Sequence, residues 1–199
     1  MRRFHFMPKL YLVRHAKPAA TWSEDPDPGL DSIGVSQAER TAHALQARTP
    51  ALPILTSPLR RCRETAVPLE RAWQRRAEIF MPVAEIPSPP LPLHERHTWL
   101  RQAMQGTWAQ MQQNAPAGSP DFLAWRANVI DSVQQLAAPA VIYTHYIAIN
   151  VVVGAARGSD NVVCFRPDHA SVTVVETDTN GIRLIELGAE AETLVLTRN

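Results

Sequence analysis

Apolar and polar positions along the chain alternate between two periods. Residues 8–14 (PKLYLVR) and 52–57 (LPILTS) are short apolar runs bounded by turn-forming or charged residues, the pattern of buried strands. Residues 79–86 (IFMPVAEI) read as a third strand, placed at an edge or irregular because Pro82 has no N–H for a ladder. Residues 140–145 (AVIYTH) form a fourth. SVTVVET, followed by Asn180-Gly181 and IRLIEL, predicts a hairpin, since Asn-Gly supplies positive φ for a tight turn.

Between these runs the spacing becomes helical. Over residues 33–47, Val35, Ala38, Ala42 and Leu45 share one face. Over 119–137, Phe122, Trp125, Val129, Val133 and Leu136 form a stripe, with Ser119 as the expected N-cap and Pro120 as the first helical residue. Strands alternating with helices predict an α/β fold, a three-layer α/β/α sandwich around a largely parallel central sheet. The four prolines in residues 86–97 (IPSPPLPLHERH) predict a stiff exposed loop without regular structure, and residues 86–115 are a candidate lid or insert.

Composition narrows this picture. A chain of 199 residues, 45% of them hydrophobic, can bury one sizeable core, so residues 1–199 are expected to form a single domain, with residues 1–7 as a disordered extension. The formal charge is +1, from 20 basic and 19 acidic residues, which gives no field to attract nucleic acid or an anionic membrane surface. The two cysteines, Cys62 and Cys164, have neither zinc-site nor disulfide-framework spacing, and a reducing, cytoplasmic setting is expected. No apolar segment follows Arg2 and Arg3 as in an export signal, and no run approaches the roughly 20 apolar residues of a membrane span.

The chemistry lies at the strand ends. The first strand ends in Arg14-His15, the second in Thr56-Ser57-Pro58 followed by Arg60, Arg61 and Arg63, and the fourth in Thr144-His145. Ligands of parallel sheets bind beyond the carboxyl ends of the strands. Parallel pairing would bring two histidines and at least two arginines to one rim. Each signal alone has an ordinary structural explanation, since a histidine at a rim or arginines on a solvated helix face are common. Together they suit a phosphoryl group: arginines chelate its oxygens, a helix starting near Pro58 adds its positive end, and the cations keep His15 deprotonated and nucleophilic. Such a site needs no metal. Neither a G-x-S-x-G elbow nor a G-x-x-x-x-G-K-[ST] loop is present.

These residues resemble the histidine phosphatase superfamily, the phosphoglycerate mutase-like group. LYLVRHAKP is similar to its Arg-His-Gly signature, with Ala16 in place of the glycine. LDSIGVSQAERTAHAL (30–45) is similar to its L-T-x-x-G-x-x-Q-A segment, through Gly34, Gln37 and Ala38. TSPLRRCRETA (56–66) resembles S-S-P-L-x-R-A-x-Q-T-A and so singles out Arg61 among the neighbouring arginines. VIYTHYIAINVVVGAARG (141–158) resembles the strand and helix around the family's second histidine, with Tyr146 and Ile147 where two glycines are frequent, implying a bulkier wall.

The resemblance implies that His15 is the nucleophile and that Arg14, Arg61 and His145 bind the phosphoryl oxygens. It also implies an acid for the leaving oxygen. Glu85 follows the arginine motif at the family's usual place, Glu95 in LHERH is the alternative, and Gln102 in LRQAMQGTW (100–108) cannot transfer a proton. Lys17 is a candidate further cation. His94 and His97 have helical spacing but no third ligand, and read as a surface pair. Asp25 and Asp27 follow the nucleophile in the next loop, and Trp22, Trp99 and Trp108 read as packing anchors or as ring-stacking surfaces. The implied function is a phosphatase without cofactor or metal, acting on a small phosphorylated substrate or a phosphoprotein through phosphohistidine. The alternatives are a mutase-type phosphotransferase and a catalytically silent phosphate-binding protein. Oligomeric state is not set by any of these features.

Overall fold

The computed structural model describes residues 7–20 and 25–191; Trp22 and nearly all of the expected N-terminal extension lie outside the described residues. Among the described residues six strands, β1 (Lys9–Arg14), β2 (Ile54–Thr56), β3 (Glu78–Ile79), β4 (Ala140–Thr144), β5 (Val172–Asp178) and β6 (Gly181–Glu186), form one sheet in the order β3-β2-β4-β1-β5-β6. The pairs β2·β3, β2·β4 and β1·β4 are parallel, while β5 is antiparallel to both β1 and β6. Only β5 therefore runs against the rest of this mixed, mostly parallel sheet.

The alternation in β1 and β4 separates two cores. Leu10, Leu12, Ala140 and Ile142 face one cluster, built with Phe122, Val129, Val133, Ile149 and Val153. Tyr11, Val13, Val141 and Tyr143 face the other, with Ala42, Leu45, Cys62, Ala66 and Leu69. Period-two alternation buried on both sides requires a helical layer on each face. The first layer holds α4 (Trp108–Gln113), α5 (Phe122–Gln134) and α6 (Tyr146–Arg157). The second holds α1 (Ser32–Arg48) and α2 (Arg60–Trp73). Among the described residues no helix is long and apolar enough to cross a membrane.

Several local expectations are corrected. The third strand is only two residues long and gives way to a 3-10 turn at Met81–Val83, because Pro82 cannot extend a ladder. The proline-rich segment is not wholly irregular: α3 (Leu93–Ala103) starts directly after Pro92, the last proline, where a helix needs no further N–H constraint. Helix α5 is capped by Asp121, whose carboxylate accepts the Ala124 N–H at 2.8 Å, so Ser119 and Pro120 precede it. Val35 is exposed rather than part of the buried face of α1. In the hairpin Asp178 pairs with Gly181, which puts Thr179 and Asn180 in the turn and Gly181 at the start of β6.

Helix α1 has a second task besides core packing. Asp31 caps it by accepting the Gly34 N–H at 2.7 Å, and the Lys17 carbonyl accepts the Asp31 N–H at 3.2 Å. The Lys17 N–H donates to Gln37 Oε1 at 2.9 Å. The loop after β1 is thus seated on the first turns of α1, and a Cβ on Gly34 would stand 2.1 Å from the Lys17 carbonyl oxygen. Gly34→Ala is expected to destabilise by about 1–3 kcal/mol, as overpacking does, instead of giving the roughly 1 kcal/mol gain of Gly→Ala in an open helix. Urea denaturation measures the sign.

Candidate active site

Parallel pairing of β1, β4 and β2 brings Arg14-His15, Thr144-His145 and Thr56-Ser57 to one edge of the sheet. The backbone locks these ends together: the His15 N–H donates to the Thr144 carbonyl at 2.9 Å and the Ser57 N–H to the Tyr143 carbonyl at 2.9 Å. Ala16 is fully buried and donates its N–H to Thr65 Oγ1 on α2 at 3.0 Å, which leaves little freedom to the residue carrying the His15 imidazole.

Within this edge Arg14, His15, Arg61 and Glu85 line a cavity of about 550 Å³. The His15 and His145 ring centres lie 5.3 Å apart. Arg61 is buried at 1% exposure, with Nη2 3.3 Å from Glu85 Oε2 and 3.3 Å from His145 Nδ1. Glu85 Oε2 also lies 3.1 Å from His145 Nδ1. Glu85 reaches this place because Thr144 donates its hydroxyl to the Val83 carbonyl at 2.7 Å, pinning the 3-10 turn under the sheet edge.

The hydrogen bonds fix the tautomers. Nδ1 of His15 lies 2.9 Å from the Ala16 carbonyl, which can only accept, so Nδ1 holds the proton and Nε2 keeps a free lone pair. For His145, Ser57 Oγ lies 2.7 Å from Nε2 and itself accepts the Leu59 N–H at 3.3 Å. The Ser57 hydroxyl donates to Nε2, so His145 carries its proton on Nδ1, directed to the Glu85 carboxylate. This identifies Ser57, which the sequence marked only as a strand end, as the residue that aims His145.

The electrostatics agree with neutral imidazoles. Burial, then His145, Arg61 and Arg14, push His15 well below its ordinary value. Burial lowers His145 more than Glu85 raises it. Burial alone would raise the Glu85 carboxyl, but His145 and Arg61 outweigh it and hold the group below the ordinary carboxylate value. His169 is lowered to about 4, by burial first and then by Arg14. Each lowered histidine stays neutral in the fold, whereas the unfolded chain takes up protons near pH 6.5. Their contribution to stability is therefore complete above that pH and lost as pH falls toward the folded-state values. The urea midpoint is expected to be lower at pH 5 than at pH 7.5.

The other residues singled out from the sequence lie elsewhere. Glu95 is exposed on α3, its Oε1 3.6 Å from Nε2 of the more exposed His94. The Lys17 ammonium pairs with Asp31 at 2.9 Å. Asp27 accepts the Arg60 N–H at 2.8 Å, at the start of α2, and stands 3.9 Å from Arg61 Nη1. Trp108 is buried against Trp125 and Trp99 stacks near Phe122, both as packing anchors. Conversely, His169 was not singled out. It lines the cavity with its Nε2 3.0 Å from Arg14 Nη2. The sequence carries no local signal for it: only the fold shows that β5 runs antiparallel to β1 and begins where β1 ends, which brings the residues just before β5 to the same edge.

The sequence matches the model of the histidine phosphatase superfamily (branch 1) over residues 10–190. The chain belongs to that superfamily. Solved structures share the fold. Bacillus stearothermophilus YhfR superposes with a TM-score of 0.75 at 18% identity, over 93% of this chain and 98% of its own. The alpha-ribazole phosphatase of Shigella flexneri gives 0.70 at 18%, over 94% and 98%. A mycobacterial glucosyl-3-phosphoglycerate phosphatase gives 0.70 at 23%, over 92% and 100%. It has also been solved with inorganic phosphate. No curated protein matches the chain significantly in sequence.

Proposed function

We propose that the protein is a metal-independent phosphatase of small phosphomonoesters, working through a phosphohistidine on His15. The observation that carries this is the His15 tautomer: Nδ1 is spent on the Ala16 carbonyl, and the lone pair of Nε2 is kept unprotonated beside Arg14, Arg61 and His145. That is a nucleophile prepared for a group whose negative charge the arginines bind.

In the first step the Nε2 lone pair forms the N–P bond as the P–O bond to the leaving group breaks. Arg14, Arg61 and the Nδ1–H of His145 hold the non-bridging oxygens as charge builds on them. The incoming phosphoryl group draws Arg61 and His145 away from Glu85 and sets negative charge against the carboxyl. Both changes raise its pKa, so Glu85 holds a proton in the complex and delivers it to the departing oxygen. In the second step the Glu85 carboxylate takes a proton from water, the oxygen forms the new P–O bond, and the N–P bond breaks. His15, Glu85 and His145 offer ligand atoms within 4.8 Å of one another, a spacing a metal would accept. Arg61 beside Glu85 opposes a further cation there and favours an anion.

A concave site suits a small leaving group better than a protein surface. Leu100 and Met104, on and just after α3, form part of its wall, which makes the 86–115 segment the lid of this reading. Two of the structural relatives are named for phosphatases of small phosphorylated molecules. The test is release of phosphate from an aryl phosphate in the presence of a chelator. Steady turnover is expected. Tight binding of phosphate or vanadate without turnover would instead make the protein a silent phosphate binder, and dependence on a bisphosphorylated activator would make it a mutase.

A further inference from the structure

Arg14 is held by more than its strand. Its Nη1 donates to the Pro167 carbonyl at 2.8 Å, its Nη2 lies 3.0 Å from His169 Nε2, and its guanidinium carbon sits 5.1 Å from the centre of the Tyr146 ring. A guanidinium offers only donors, so His169 Nε2 is the acceptor and the His169 proton resides on Nδ1. Nε of Arg14 is buried without a hydrogen-bond partner among the described residues. Arg14 lines the cavity, and of the two N–H donors on each Nη, Pro167 and His169 take one apiece, so a second N–H remains on each.

The segment presenting His169 is tightly determined. Ala170 sits at φ 57, a left-handed conformation that a side chain disfavours and that persists only where the surroundings enforce it. They do so here: the Ala170 N–H donates to the Arg14 carbonyl at 3.1 Å, the Arg14 N–H donates to the Ser171 carbonyl at 3.1 Å, and the Thr41 hydroxyl on α1 donates to the Ala170 carbonyl at 2.8 Å. Backbone strain is thus maintained one residue from the imidazole that touches Arg14.

We propose that His169 is a positioning residue for Arg14: by accepting from Nη2, with Pro167 accepting from Nη1, it sets the rotation of the guanidinium so that its remaining Nη–H donors are held for the phosphoryl oxygens. The inference rests on the phosphate-site reading above. The groups facing His169 are Arg14 and His15 at the end of β1, Lys17 beyond it, Asp31 at the start of α1, and its neighbour Asp168, whose carboxylate lies 4.0 Å from Nδ1. Burial and Arg14 dominate this set, and the imidazole remains a neutral acceptor through neutral and mildly acid pH. Protonation would remove the acceptor and place a second cation against Arg14.

The test is calorimetric titration of inorganic phosphate into the parent protein, His169→Phe and His169→Gln, with kcat and KM on an aryl phosphate. Phenylalanine keeps the ring without an acceptor. Glutamine can bring Oε1 to the place of Nε2 and does not titrate. His169→Phe is expected to bind phosphate about tenfold more weakly or worse, the scale of a lost charge-assisted hydrogen bond, with KM raised and the thermal midpoint kept. His169→Gln is expected to restore affinity to within about threefold, a rescue that a purely structural role would not show. Equal affinity in parent and His169→Phe overturns the positioning role while leaving the phosphate site intact. So does a His169→Gln variant as weak as His169→Phe. If His169→Phe does not fold, a folded His169→Gln with tenfold weaker binding also overturns it. Failure of the parent itself to bind phosphate overturns the site reading, and this inference with it.

Discussion

His15→Ala is expected to release phosphate from an aryl phosphate at no more than the uncatalysed rate, a loss of roughly 10⁴-fold or more, if His15 is the group that forms the covalent bond. Affinity for inorganic phosphate should change far less, because Arg14, Arg61 and His145 stay in place. Each is fixed by partners other than the His15 side chain: Pro167 and His169 for Arg14, Glu85 for Arg61, Ser57 for His145. The split between lost turnover and kept binding separates a nucleophile from a mere phosphate ligand. Brief mixing with radiolabelled substrate followed by alkaline quench should trap label on the parent and none on the variant. A variant that still turns over would place the nucleophile elsewhere and end the phosphohistidine mechanism.

The part of the site carried by strand ends was legible because parallel pairing converts a sequence pattern directly into a place. A strand of alternating apolar residues ending in Arg14-His15 and another ending in Thr144-His145 arrive at one edge whatever the loops do. Gly34 and Gln37 were visible as family-like residues, but their purpose was not: only the fold shows the Lys17 peptide seated on them. Local hydrogen-bond chemistry was read less well. Ser119 and Asp121 both suit an N-cap, and two residues decide which way the Phe122 face turns. The position of α3 escaped because prolines in its approach masked a helix that begins where they end. His169 escaped for another reason. Its partner Arg14 is 155 residues away, and nothing local in RPDHAS announces an acceptor for a guanidinium. The same long reach explains why Ser57 looked like punctuation after a strand when it orients His145 from 88 residues away.

Glu85→Gln should lower turnover of an alkyl phosphate by about 10²- to 10⁴-fold, the usual contribution of a positioned general acid and base. The amide oxygen can still accept from His145 Nδ1, so the pocket should keep its geometry and phosphate should still bind. The leaving group makes the effect specific. An aryl oxide of low basicity departs without a proton, so the first step survives in the variant, whereas attack of water on the phosphohistidine still lacks its base. A nitrophenyl phosphate should therefore give a burst of nitrophenol close to one per active site, followed by a slow steady state. An alkyl phosphate should give no burst, because its alkoxide cannot leave unprotonated. Glu95→Gln supplies the contrast: its carboxylate is exposed on α3 beside His94, and turnover of both substrates should match the parent. If Glu95→Gln shows the burst and Glu85→Gln behaves as parent, the acid is Glu95 and α3 must close over the cavity during turnover. If neither variant shows it, the proton comes from the substrate phosphoryl group itself, and Glu85 acts only by holding Arg61 and His145 ready for the ligand.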